Sequence, residues 1–132
     1  MPNWFCGSVT ITGSEKYMKP FVEWAKQYDE DNHEECKPFN SLWPLPSMGD
    51  TYDEDKWDYN QALDFWGSKW GVCNPTCVEF DDTSLSFRFE SAWSMPDTLF
   101  WFLEWSHGVE IKATGYEPGM GFVSMYYDRK EA

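Results

Sequence analysis

Positive charge is scarce in this sequence. The 132 residues include 10 Lys and Arg against 23 Asp and Glu, which leaves a net charge of −13 at pH 7. Proteins that bind a phosphate backbone directly use Lys and Arg to displace its counterions, so this composition argues against direct binding to nucleic acid. A strongly negative surface instead attracts positive patches, and the sequence therefore predicts a basic protein as the partner, most simply one that itself binds nucleic acid.

Long hydrophobic runs are also absent. No stretch approaches the length that spans a bilayer, and no early apolar run follows a basic leader. We therefore expect a cytoplasmic protein that does not contact the membrane. In that compartment the four cysteines are expected to be thiols or metal ligands rather than disulfides.

Motifs of catalysis and of cofactor binding are missing as well. Neither of the two histidines, His33 and His107, lies near a recognisable nucleophile motif, and His107 directly before a glycine is typical of a helix end. Gly119 and Gly121 lie in an expected hairpin turn, whereas a phosphate-binding glycine loop precedes a helix. The sequence therefore predicts a protein that is not an enzyme and uses no cofactor.

Aromatic side chains, in contrast, are abundant and make up 20% of the chain. With 42% hydrophobic residues, the chain supplies one sizeable core, so we expect a single domain over residues 1–132. A close pair of tryptophans flanks a glycine and a lysine in residues 66–70, Trp-Gly-Ser-Lys-Trp, which we name the tryptophan element. We expect it to be a fixed crossing point of the core, because a buried indole N–H needs a partner. Gly67 and Gly71 would let the backbone pass close to the rings, and Lys69 would lie over a ring or reach past it.

The first part of the chain predicts a strand followed by a helix. Aromatic and β-branched residues fill positions 3–12 and stop at a glycine, which is typical of a strand. Ser14 and Lys19 compete as helix starts. Proline is tolerated at the first helical position and not deeper, so Pro20 favours a helix from Pro20 to Tyr28.

Residues 29–58 form what we name the acidic segment. They hold ten acids and two lysines, which gives −8 of the total charge of −13. We expect a surface excursion that Trp43 and Leu45 hold to the core. A second helix is predicted to start at Asp53 or Asp55 and to end near residue 65.

The second half of the chain predicts two hairpins with a helix between them. Alternating apolar residues over 76–80 and 85–91, around an Asp-Asp-Thr-Ser cluster, predict the first hairpin. The helix that follows ends at Gly108, and apolar residues around most of its circumference, including Trp105, predict heavy burial. Residues 109–116 and 122–127 form the last hairpin. Antiparallel strands with helices packed on one face predict an α+β fold, and a ferredoxin-like sheet, with the acidic segment inserted after the first helix, is its simplest closure.

Several short motifs of this chain occur together in a known family. In chain order they are Pro2-Asn3-Trp4, Val9-Thr10-Ile11-Thr12-Gly13, Leu42-Trp43-Pro44-Leu45-Pro46, Trp66-Gly67-Ser68-Lys69-Trp70, Ser91-Ala92-Trp93-Ser94 and Tyr116-Glu117-Pro118-Gly119. In these motifs and their order the chain resembles the small Api92-like or YubB-like proteins of bacteriophages, plasmids and bacterial genomes, over nearly its whole length. It departs from them at Phe5, where the family usually has Cys, and at Gly71, where it has an acidic residue. The resemblance implies a ferredoxin-like domain and a mobile-element origin, and it carries no activity with it.

The acidic segment supports the main functional hypothesis. Spaced carboxylates repel DNA and attract Lys and Arg, so they can imitate a nucleic-acid backbone in the basic groove of an enzyme. With the origin that the resemblance implies, we expect a non-enzymatic inhibitor of a host nucleic-acid-handling defence enzyme, an anti-CRISPR or anti-restriction protein. The expected partner-binding residues are Asp29, Glu30, Asp31, Glu34, Glu35, Asp50, Asp53, Glu54, Asp55 and Asp58. The plainer alternative is a solvated segment that keeps the protein soluble.

Two further alternatives stay open. A small ligand or nucleotide would stack in an aromatic pocket, although most rings are expected in the core because a base-stacking groove also needs Lys or Arg. The residues of this alternative pocket are Trp66, Lys69, Trp70 and Trp93. A tetrahedral zinc site would use one imidazole and three thiolates, although reduced cysteines in or near the core are the simpler expectation. The residues of this alternative zinc set are His33, Cys36, Cys73 and Cys77.

Overall fold

The structure, a computed structural model, describes residues 3–127 and belongs to the α+β class that the sequence predicts. Within those residues five β-strands and three α-helices follow one another in the order β-α-α-β-β-α-β-β. They are β1 (Trp4–Thr12), α1 (Glu15–Gln27), α2 (Tyr59–Phe65), β2 (Cys73–Asp81), β3 (Ser84–Ala92), α3 (Asp97–His107), β4 (Glu110–Glu117) and β5 (Phe122–Tyr126). No helix in this part of the chain combines the length and the apolar character that a membrane crossing requires.

All five strands join one open antiparallel sheet in the order β2-β3-β1-β4-β5, with β1 at its centre. Val9 of β1 lies opposite Phe87 of β3 and Ala113 of β4, and all three side chains are buried. The next residue along β1, Thr10, is exposed. Because successive side chains of a strand point to opposite faces, one face of the sheet is apolar and covered while the other meets solvent.

The covered face of the sheet packs against α1 and α3 in a single core. Met18 and Phe21 of α1 and Leu99 and Phe100 of α3 have no exposed surface and belong to this core. Complete burial of such a side chain stabilises the fold by about 1.5–3 kcal/mol relative to exposure. The rings of Phe89 and Phe100 also meet edge to face, with centroids 5.8 Å apart and planes at 82°, so the layers are joined by specific ring contacts.

Helix α1 begins five residues earlier than the sequence predicted. It starts at Glu15 and contains Pro20, so the prediction that Pro20 is its first residue is wrong. Met18 lies one turn before Phe21 on the buried face of the helix. Burial of Met18 favours the extra turn and outweighs the hydrogen bond that the proline nitrogen cannot donate to the Lys16 carbonyl oxygen.

Helix α2 is shorter than predicted. It starts at Tyr59 and is capped by Asp58, whose carboxylate accepts a hydrogen bond from a backbone N–H of the first turn at 3.0 Å. Asp53 instead caps a separate 3-10 turn, Glu54–Lys56, by accepting a hydrogen bond from the Asp55 N–H at 3.1 Å. The predicted start at Asp53 or Asp55 is therefore wrong, because a third aspartate further along the chain caps the helix.

Helix α3 buries one face only. It ends at Gly108, whose φ of 71° is left-handed, as the sequence predicted. Leu99 and Leu103 are buried, but Trp101 is 54% exposed and Trp105 is 70% exposed. The prediction of heavy burial around the helix is therefore wrong, because a sheet covers only the side of a helix that faces it.

Both predicted hairpins are present. In the turn between β2 and β3, the Asp81 carboxylate accepts hydrogen bonds from the Thr83 N–H at 2.9 Å and the Ser84 hydroxyl at 3.1 Å, and these bonds lower the pKa of Asp81. Strand β2 also contains positive φ angles at Asn74 (48°) and Cys77 (55°), where its register with β3 shifts. Such bulges are typical of an edge strand, and the alternating apolar residues of β2 do not predict them.

The acidic segment folds into four short 3-10 turns. They are Glu30–Glu35, Phe39–Leu42, Pro46–Met48 and Glu54–Lys56. The first acidic turn (Glu30–Glu35) and the last acidic turn (Glu54–Lys56) have no buried residue. Between them, Phe39 and Leu45 have no exposed surface, and the Trp43 ring stacks on Phe102 of α3 at 4.9 Å and 14°. The middle of the segment is therefore part of the core, and its two acidic ends lie at the surface.

Candidate functional site

The tryptophan element is fixed by hydrogen bonds to the acidic segment. Trp66 is 1% exposed, and its indole N–H donates to the carbonyl oxygen of Trp43 at 2.8 Å. The indole N–H of Trp57 donates to the carbonyl oxygen of Lys69 at 3.0 Å. Because Trp43 and Trp57 both belong to the acidic segment, these two bonds hold the segment and the element together.

Asn40 ties the acidic segment to the residues that follow the element. Its buried amide N–H groups donate to the carbonyl oxygens of Trp70 (2.8 Å) and Val72 (3.3 Å), and its oxygen accepts from the Val72 N–H at 2.9 Å. A Cβ on Gly71 would lie 2.6 Å from Asn40 Oδ1, so a side chain does not fit there. Apart from its chain neighbours, Gly71 lies closest to Asn40, and Gly67 lies closest to Asp97 and Thr98 of α3.

Lys69 lies over two tryptophan rings. Its Nζ is 4.7 Å from the ring centroid of Trp70 and 5.4 Å from that of Trp93, within the range of cation–π attraction. Trp93 has a left-handed φ of 71°, which is uncommon for a bulky residue. The structure therefore brings three residues of the alternative pocket together, Lys69, Trp70 and Trp93, and the ammonium group of Lys69 lies over the two rings. The fourth residue, Trp66, lies in the core.

A cavity of about 710 Å³ lies beside the tryptophan element, which is within the roughly 300–1,000 Å³ of typical ligand pockets. Its aromatic wall consists of Tyr28, Phe39, Tyr52, Trp57, Trp66 and Trp70. The first acidic turn contributes His33 and Glu34 to the lining, and the last acidic turn contributes Glu54. No Lys or Arg of the described residues lines it. The cavity is therefore aromatic and negatively charged.

The environment of the cavity changes the pKa of three of its groups. Burial, reinforced by the negative charge of Glu54, raises the pKa of Tyr52 to about 12. Burial also raises the pKa of Tyr28, with a smaller effect of negative groups nearby. Burial raises the pKa of the Cys73 thiol to about 12 as well. Both phenols and this thiol therefore stay neutral at physiological pH, and Cys73 is not an activated nucleophile.

The ten predicted partner-binding carboxylates all reach the surface. Asp53 is half-buried, and the other nine are exposed. Asp29, Asp53 and Asp58 also cap the turn or helix that follows them. Within residues 3–127 the single ion pair joins Lys112 and Glu110 at 3.4 Å, outside the acidic segment. The negative charges of the segment are therefore not neutralised by ion pairs within the described chain.

The alternative zinc set is not assembled in the structure. Between residues 3 and 127, no group of three or more His, Cys, Asp or Glu side chains is placed to hold a metal ion. His33, Cys36 and Cys73 line the cavity, whereas Cys77 does not. The Cys36 thiol donates to backbone carbonyl oxygens such as that of Gln27 at 3.4 Å, and Cys77 is exposed on the edge strand.

A second surface, along α3 and β5, was missed by the sequence analysis. The exposed rings of Trp101 and Trp105 stack with centroids 6.4 Å apart and planes at 3°. With Met125, which is 64% exposed, they line an open groove of about 860 Å³. The signal was the apolar character of α3 on all sides, because a helix with one buried face leaves the other apolar residues at the surface.

No protein-family model matches this chain, and no curated protein and no solved structure matches it either. The chemistry of the site therefore rests on its own residues. The cavity between the two acidic turns combines ring surfaces with carboxylates, and both attract positively charged groups.

Proposed function

We propose that this protein is a non-enzymatic acidic binding protein of phage or mobile-element type that inhibits a host nucleic-acid-handling defence enzyme. It acts in the host cytoplasm as an anti-CRISPR or anti-restriction protein, by occupying the basic groove in which that enzyme holds DNA or RNA. The observation that carries the proposal is the unpaired charge of the acidic segment. Its ten carboxylates reach the surface, and within residues 3–127 none of them forms an ion pair. Such carboxylates keep their attraction for the Lys and Arg of a partner.

The proposal includes a ferredoxin-like fold and a relationship to the Api92-like or YubB-like proteins. Strand β3 lies between β1 and β2, and β1 lies between β3 and β4, with every neighbouring pair antiparallel. A split βαβ arrangement has this order when α1 leads from β1 towards β2 and α3 leads from β3 to β4. In this assignment β5 extends the sheet beyond β4, and the acidic segment with α2 is an insertion between α1 and β2.

The second candidate function is a small-ligand or nucleotide-binding domain. The cavity of about 710 Å³ with its aromatic wall favours it. A nucleotide, however, carries phosphates, and the cavity is lined by Glu34 and Glu54 and by no Lys or Arg of the described residues. Because single-stranded nucleic acid and its nucleotides are held by positive grooves, the charge of this cavity favours the acidic binding protein instead.

Two charge variants test the proposed function. The first variant carries Glu34→Gln, Glu35→Gln, Glu54→Gln and Asp55→Asn, which remove charge from both acidic turns and keep the capping aspartates. The matched control removes the same number of exposed charges outside the segment. It carries Glu15→Gln, Glu23→Gln, Glu79→Gln and Asp82→Asn. DNA cleavage by a panel of restriction enzymes and CRISPR nuclease complexes is measured with the natural protein and with each variant.

We expect the natural protein and the matched control to inhibit at least one enzyme of the panel. The first variant should inhibit it about tenfold less or worse, because the charges that attract the basic groove are gone. Inhibition should also weaken steeply from about 0.05 M to about 0.2 M salt as exposed charges are screened, whereas binding in an aromatic pocket would hardly respond. Unchanged inhibition by the first variant, or no inhibition of any enzyme, would show that the proposed function is wrong.

A further inference from the structure

We propose that the cavity between the two acidic turns takes one arginine side chain of the basic partner. The inference rests on the proposed function for the existence of that partner, and it goes further by naming the bound group and the residues that bind it. The cavity is the space between the tryptophan element, the first acidic turn and the last acidic turn.

The aromatic wall of the cavity offers ring surface to a flat cation. Tyr52 stacks against the buried Trp66 with centroids 6.4 Å apart and planes at 27°. Tyr52 and Trp57 are half-buried, so part of each side chain is accessible from solvent, whereas the Trp70 ring already lies beneath the Lys69 ammonium group. A guanidinium group is planar, stacks on aromatic faces and is more weakly hydrated than an ammonium group. Arginine therefore gains more from such a wall than lysine does.

Two carboxylates from separate turns complete the cavity. Glu34 and Glu54 are twenty residues apart in the sequence, and both line it. Both are exposed, and within residues 3–127 neither is in an ion pair. Glu54 and Tyr52 both line the cavity, and burial, reinforced by the charge of Glu54, raises the pKa of Tyr52. A guanidinium fork matches the two oxygens of a carboxylate and binds them with charge-assisted hydrogen bonds.

Several of the hydrogen-bond donors around the cavity are already used. The amide N–H groups of Asn40 and the indole N–H groups of Trp57 and Trp66 donate to backbone carbonyl oxygens, and the Tyr28 hydroxyl donates to the carbonyl oxygen of Pro75 at 2.9 Å. The carboxylates, which only accept, are the charged groups left for a ligand. A ligand that brings donors and positive charge therefore suits these carboxylates, and guanidinium has five N–H donors and no acceptor.

Three small probes test this assignment by titration of the full protein. They are the N-acetyl methylamides of arginine, citrulline and lysine, and binding is measured by tryptophan fluorescence and by NMR shifts of the indole N–H signals. Citrulline has nearly the shape of arginine but carries no charge. We expect arginine to bind at least about tenfold more tightly than citrulline, and more tightly than lysine, because both the charge and the planar shape contribute. Equal binding of citrulline or of lysine overturns the assignment.

Two double variants locate the binding. Glu34→Gln with Glu54→Gln removes the carboxylates that line the cavity, while Glu35→Gln with Asp55→Asn removes the same charge from the same two turns outside its lining. We expect the first pair to weaken arginine binding about tenfold or more and the second pair to weaken it less than about twofold. Equal losses would mean general attraction by the acidic surface, which overturns the cavity as the binding site.

The same variants separate this inference from the proposed function. If the arginine probe binds as expected while no defence enzyme is inhibited, the proposed function is wrong and the cavity assignment stands. If the probe does not bind, while an enzyme is inhibited equally by the natural protein and by the Glu34→Gln and Glu54→Gln variant, the cavity assignment is wrong and the proposed function stands.

Discussion

At the scale of single residues, the Asn40 amide has the most consequences for the site. Replacement by alanine would leave the buried Val72 N–H without a partner and would remove one of the two donors to the Trp70 carbonyl oxygen. A buried polar group without a partner costs about 1–3 kcal/mol. We expect Asn40→Ala to lower the free energy of unfolding in urea by about 2–4 kcal/mol. The control is Asn60→Ala, because Asn60 is exposed in α2. This substitution should change the free energy of unfolding by less than about 0.5 kcal/mol. Similar losses for both would contradict this role of Asn40.

His107 at the end of α3 is a second residue whose surroundings decide its behaviour. Its ring meets the edge of Phe21 with centroids 5.1 Å apart. Burial lowers the pKa of His107, and a hydrogen bond with the backbone of Leu42 raises it by less. The helix dipole favours the charged form, as the sequence analysis expected, but burial has the larger effect.

This lowered pKa predicts a loss of stability in acid. Below a pH of about 6.5 the unfolded chain binds a proton at this histidine more readily than the folded protein does, so the free energy of unfolding falls as the pH falls. His107→Gln removes the imidazole that binds this proton. The difference in unfolding free energy between the natural protein and His107→Gln should therefore shrink from a pH of about 7.5 to about 5, as measured by urea denaturation. A difference that grows in acid would contradict the lowered pKa.

At the scale of elements, α1 contains a proline that its hydrogen bonding does not favour. The nitrogen of Pro20 cannot donate to the carbonyl oxygen of Lys16 within the helix. We expect Pro20→Ala to raise the free energy of unfolding by about 1–3 kcal/mol in urea. Pro46 serves as the control, because it is the first residue of its 3-10 turn, where a backbone N–H would have no partner. Pro46→Ala should therefore not raise the free energy of unfolding. If Pro20→Ala does not raise the free energy of unfolding either, Pro20 does not destabilise α1.

The elements also differ in how well local sequence determined them. Strands and the end of α3 were predictable, because alternation and a glycine with left-handed φ are signals within a few residues. The start of α1 was not, since it depends on whether Met18 meets the core. The start of α2 was not either, because Asp53, Asp55 and Asp58 are equivalent caps until the path of the chain is known.

At the scale of the whole molecule, the net charge of −13 is expected to limit stability at low salt. Like charges repel in the compact state, and screening shortens the Debye length from about 30 Å at 0.01 M salt to about 10 Å at 0.1 M. We expect NaCl to raise the melting temperature by a few degrees over this range. Such a rise corresponds to a gain of about 1 kcal/mol in the free energy of unfolding. The variant with four neutralised acids in the acidic turns has a net charge of −9. Its melting temperature should therefore rise less with NaCl. A melting temperature that falls with salt would contradict self-repulsion.

The sequence by itself determined the α+β class, both hairpins, the negative charge and the concentration of that charge in residues 29–58, because these follow from composition and from patterns a few residues long. Only the tertiary structure decided that Glu34 and Glu54 line one cavity and that Lys69 lies over Trp70 and Trp93. It also decided that Trp101 remains at the surface. Contacts between residues far apart in the chain depend on how the layers pack, and local patterns carry no information about that packing.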